Sequence, residues 1–66
     1  MIYKLYNELK QPLIHRGQLN LGDIVHFSGA YLYKVIKLKG DTGVIKSHAD
    51  TYPIEFIKGE GWVYGT

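Results

Sequence analysis

From Gln18 onward, short runs of β-branched and aromatic residues alternate with turn-forming clusters: Gly22-Asp23, Ser28-Gly29, Gly40-Asp41 with Gly43, His48-Ala49-Asp50 and Gly59-Glu60-Gly61. This punctuation predicts strands at 23–27, 31–39, 43–48, 53–58 and 61–64. Five short strands joined mostly by tight turns within about 42 residues are too few for a two-sheet sandwich, and closure into a small barrel protects their edges. The expected fold is all-β, a five-stranded antiparallel small barrel.

The second of these strands changes phase midway. Tyr31, Tyr33 and Val35 share one face, whereas Ile36 and Leu38 share the other, and strict alternation cannot bury both sets against one core. A β-bulge or sharp bend near Val35-Ile36 turns Tyr33, Val35, Ile36 and Leu38 inward together and sends Lys34, Lys37 and Lys39 outward.

The N-terminal segment carries two patterns. Ile2, Leu5, Tyr6 and Leu9 fall at helical spacing, while Tyr3, Leu5 and Leu9 also share one face of a strand; the expectation is a short helix or helical turn. Pro12 disfavours helical geometry at Gln11, and His15-Arg16-Gly17-Gln18 reads as a loop. The chain is therefore one domain over 1–66, with 1–17 an N-terminal segment and connector and 18–66 the barrel.

A 66-residue chain without cysteine has neither disulfide nor thiolate zinc to supplement a small core, so its stability comes from packing or from a partner. The first ten residues are interrupted by Lys4, Asn7, Glu8 and Lys10, unlike a signal peptide or membrane span, and a soluble cytoplasmic protein is expected. A formal charge of +2 is too small to indicate nucleic acid by itself. The distribution is uneven, however. Lys34, Lys37, Lys39 and Lys46 lie close together with Asp41 the only acid among them.

The stretches Gly22–Phe27, the bent Tyr31–Leu38, Lys39–Ile45 and the terminal Trp62–Tyr64 resemble SH3-like small barrels, including KOW and Tudor-type modules, in which a Gly-Asp pair opens the first strand. The resemblance spans residues 22–64 and lies in pattern and turn placement. It implies an SH3-like architecture and, through the KOW-type modules, nucleic-acid binding, although architecture alone does not fix function.

Little in the sequence indicates catalysis. His15, His26 and His48 are not clustered at ligand spacing, so no metal is expected, and no cofactor motif is present. Ser47, His48 and Asp50 are sequence neighbours at a strand end, which suits a turn better than a triad converging from separate elements. The Gly40–Gly43 turn lacks the helix and lysine of a phosphate loop. The protein is not expected to be an enzyme.

Aromatics say more: six tyrosines, two phenylalanines and one tryptophan in so short a chain. Phe27, Phe56 and Trp62 are expected in the core, leaving Tyr3, Tyr6, Tyr31 and Tyr64 freer. The candidate binding residues are Tyr31, Lys34, Lys37, Lys39, Lys46 and Tyr64, a basic stripe with rings for stacking. The simpler alternative is a solvated face, because edge strands carry lysine to discourage aggregation. The expected function is a non-catalytic binding or adaptor module that engages a larger protein or protein–nucleic-acid assembly, in the manner of a phage or mobile-element modulator of a host enzyme. The alternative is direct nucleic-acid binding by an SH3-like, KOW-type domain through the Lys/Tyr stripe. No membrane partner is expected, and a weak symmetric homodimer is an accessible way to bury further apolar surface.

Overall fold

A computed structural model describes residues 2–27 and 32–65. The strands are β1 (Ile2–Lys4), β2 (Tyr6–Asn7), β3 (Ile24–His26), β4 (Tyr33–Lys39), β5 (Thr42–Lys46), β6 (Thr51–Ile57) and β7 (Gly61–Gly65), with one 3-10 turn at Arg16–Gln18. All pair antiparallel in a single sheet of order β1-β7-β6-β5-β4-β3-β2. The five expected strands are β3–β7, and two more come from the N-terminal segment.

That segment is the principal correction to the sequence reading. Residues 2–7 form an extended stretch interrupted at Leu5, not a helix. Its first half pairs with β7 and its second with β3, so the two ends of the sheet order are consecutive pieces of one strand and the barrel is nearly closed. Leu5 sits at the changeover, its amide donating to the Trp62 carbonyl at 3.0 Å and its carbonyl accepting from the Leu13 amide at 3.2 Å. A helix here would leave the outer edges of β3 and β7 without backbone partners, a requirement that outweighs local spacing. Leu9, which the helical pattern counted as apolar face, lies in the following turn and is exposed. There the Asn7 side chain accepts hydrogen bonds from the Leu9 and Gln11 amides at 2.9 and 3.0 Å. Lys10 adopts φ 65° to complete the reversal.

The reversal brings Leu13 back along the barrel. Trp62 donates its amide to the Leu13 carbonyl at 2.9 Å and its indole N–H to the Arg16 carbonyl at 3.1 Å. Leu5, Leu13, Leu19, Val25, Tyr33, Val35, Ile45, Ile54 and Trp62 form one buried cluster. The connector is thus part of the core wall, with Leu13 and Leu19 as its anchors.

The irregularity expected in the long second strand is present. Val35 pairs with Ile45 and Lys37 with Val44, leaving Ile36 as the extra residue of a bulge. The bulge places Ile36 and Lys37 on the same side, so Tyr33, Val35 and Leu38 face the core while Lys34, Ile36, Lys37 and Lys39 face out. One part of the expectation fails: Ile36 is not drawn inward but stands 45% exposed beside Lys37. A bulge resets alternation by repeating one side; here the outer side is repeated, at Ile36 and Lys37, which recovers Leu38 for the core and leaves Ile36 outside.

Candidate binding face

The outward residues of β4, β5 and β6 form a three-by-three array fixed by strand register. Lys34, Lys46 and Thr51 stand side by side in one row; Lys37, Val44 and Pro53 in the next, with Ile36 beside Lys37; and Lys39, Thr42 and Glu55 in the third. Ile24 of β3 extends the first row next to Lys34. All four candidate lysines are exposed. None forms an ion pair with a described residue. The acid nearest them in sequence, Asp41, is taken by the Arg16 guanidinium at 2.7 Å, and the other described ion pair, Lys4 to Glu60 at 3.5 Å, lies elsewhere.

Val44 and Pro53 are the residues the sequence reading did not single out. Their signal was alternation: once Ile45 and Ile54 go to the core, their neighbours must face out. Pro53 is tolerated because β6 meets β7 only from Glu55 onward, so its missing N–H falls before that ladder begins. Shallow depressions flank the start of β5, one bounded by Lys37, Lys39, Thr42 and Val44, the other by Thr42, Pro53 and Glu55.

The tyrosines are elsewhere. Tyr64 lies at one end of the barrel in a ring cluster with Tyr3, Phe27, Tyr33 and Tyr52. Phe27 is its hub, with centroids 5.0–5.8 Å from the other four rings. Tyr64 stacks on Tyr3 at 6.0 Å, which fits their cross-strand pairing. These rings fill one another's faces and extend the core; they do not join the lysine face. Tyr6 stacks on His26 at 6.0 Å on the outer side of β2 and β3. The candidate Tyr31 lies outside the described residues.

The remaining polar motifs form turns. The Ser47 hydroxyl accepts from the Ala49 and Asp50 amides at 3.3 and 3.1 Å, and the Ser47 amide donates to the Asp50 carbonyl, which makes residues 47–50 a capped turn. Gly40-Asp41 is a two-residue hairpin loop, with Gly40 at φ 60° and the Thr42 hydroxyl donating to the Lys39 carbonyl at 3.0 Å. Among the described residues, no three His, Asp or Glu side chains gather to hold a metal ion, and no helix is long and apolar enough to cross a membrane.

Lys34 directly opposes Lys46 across the ladder, a like-charge arrangement that weakens the isolated sheet. Replacing Lys46 with glutamate should therefore stabilise the protein, by about 0.5 kcal/mol once solvent screening is allowed for. For a domain this small that is a rise of roughly 2–4 °C in melting temperature at low ionic strength, fading in about 1 M salt. An unchanged or lower melting temperature in dilute buffer would show that the two ammonium groups do not feel each other. No protein-family model matches the chain, nor does any curated protein or solved structure.

Proposed function

We propose that this protein is a non-catalytic binding module whose ligand is another protein, held on the outer face of β4, β5 and β6. The observation that carries this reading is the position of the lysines. Lys34 is paired on both sides, by Ile24 of β3 and Lys46 of β5, and Lys46 on both sides, by Lys34 and Thr51 of β6. Protection of an open edge therefore does not account for these two lysines, which Lys37 and Lys39 extend along β4. Beside those lysines stand Ile36, Val44 and Pro53, apolar groups that suit desolvation by a protein surface.

Direct nucleic-acid binding is the second reading, supported by the unpaired lysines alone. Of its two stacking residues, Tyr64 is engaged in the ring cluster and Tyr31 lies outside the described residues. The architecture that accompanies either reading is an SH3-like barrel of β3–β7, favoured by the bent β4 and the Gly-Asp entry to β3. A module of this kind acts by occupying part of a larger enzyme or assembly.

The test is capture from lysate by the immobilised protein, with and without nuclease, beside titration with single-stranded oligonucleotides. Protein capture that survives nuclease, with no oligonucleotide binding at low salt, is the expected result. Capture abolished by nuclease would establish the second reading instead. In that case, replacing Lys34, Lys37 and Lys46 with glutamine should flatten the log–log salt dependence of oligonucleotide binding by about two units.

A further inference from the structure

We propose that the β4–β6 face docks an acidic amphipathic helix of the partner, with two groups of carboxylates about two helical turns apart and apolar side chains between them. This rests on the reading that the ligand is a protein. The central strand of the face, β5, is paired along its whole length by β4 and β6, and ladder hydrogen bonds run in the plane of the sheet. A ligand lying over the outward side chains therefore meets no free backbone groups, so the face suits a segment whose own backbone is already satisfied. A helix meets that condition.

Charge sets the composition of that helix. Lys34 and Lys46 form one basic group and Lys37 and Lys39 another, and along the strands their centres are separated by about three residues, or roughly 10 Å. A helix advances that distance in about seven residues. Acids at i and i+7 would meet the two groups, and apolar residues at i+3 and i+4 would fall over Ile36 and Val44. Glu55, at the β6 corner, repels carboxylates and keeps the acidic flank of the helix over β4. The opposed Lys34 and Lys46 ammonium groups gain a shared counter-charge only when such a ligand is bound.

The probe is a synthetic Ala-based helical peptide of about 16 residues carrying that acidic and apolar pattern, titrated into the isotope-labelled protein at about 50 mM salt. Three comparison probes are the same peptide with its acids changed to lysine, the same peptide with its apolar residues changed to serine, and an oligothymidylate of about twelve nucleotides. The expected result is that the first peptide shifts the amide signals of residues 34–39 and 42–46 and that each comparison probe binds at least about fivefold more weakly. Ile36→Ser should weaken binding about fivefold and the combined Lys34→Gln, Lys37→Gln and Lys46→Gln variant about tenfold, with amide spectra showing both still folded.

Equal binding of the lysine-containing or serine-containing peptide, tighter binding of the oligonucleotide to this face, or shifts confined to other residues would overturn the proposal. If the peptide fails while nuclease-resistant protein capture persists, the acidic-helix assignment falls and the protein-binding reading stands. If both fail, both fall.

Discussion

Replacing Trp62 with alanine is expected to remove a large share of the protein's stability and to lower its urea midpoint steeply. The side chain is 1% exposed, stands edge-on to Phe56 with centroids 5.6 Å apart, and anchors the connector through its bond to the Arg16 carbonyl. Truncation of a buried aromatic costs about 3–5 kcal/mol, against a total stability of roughly 3–10 kcal/mol for a domain of this length. Trp62→Phe retains most of the packing and loses the indole bond, so it should remain folded with a lower urea midpoint. Far-UV circular dichroism with urea titration checks both. A cooperative transition of Trp62→Ala near that of the parent would show that the indole is not central to the core.

Gly61→Ala should be nearly as damaging, for a different reason. Gly61 has φ 95°, and a methyl group there would press on the Leu13 carbonyl and come within 2.8 Å of the Ile14 Cα. Both obstacles are backbone, and moving them breaks the Trp62 amide bond to Leu13 that seats the connector. Strain and overpacking together cost about 2–6 kcal/mol. Gly59 separates the two contributions, because at φ 92° an added methyl meets nothing within 4 Å. Gly59→Ala should cost only the conformational strain, about 1–2 kcal/mol. Equal losses for the two variants in denaturant titration would mean that the contact with Leu13 carries no weight.

Strands β3–β7 were legible because their turns carry Gly, Asp and Ser at regular intervals and their runs are β-branched, both local signals. The bulge was legible as a contradiction: Tyr33 and Leu38 could not both be core in one regular strand. The fate of Ile36 was not, since alternation identifies where a phase shift is needed but not which residue is left outside. The helix expected over residues 2–9 failed because the competing term, the empty edges of β3 and β7, lies far away in sequence. The candidate face divided in the same way. Lysine positions followed from strand phase, whereas Tyr64 went to the ring cluster because its partners Tyr3, Phe27 and Tyr52 meet it only in three dimensions.

The pairing of β1 with β7 has a bearing on how the protein is made. Ile2 lies opposite Gly65 and Lys4 opposite Val63, so β1 leaves the ribosome about sixty residues before the strand it pairs with. Until residues 61–65 emerge, Leu5 has no Trp62 carbonyl to bind and the core lacks its largest ring. Contacts of such long sequence separation place a barrel among the slower-folding small domains, in milliseconds to seconds. During translation the nascent chain therefore carries β1 without its β7 partner, the kind of segment on which holding chaperones act and at which stalled chains aggregate.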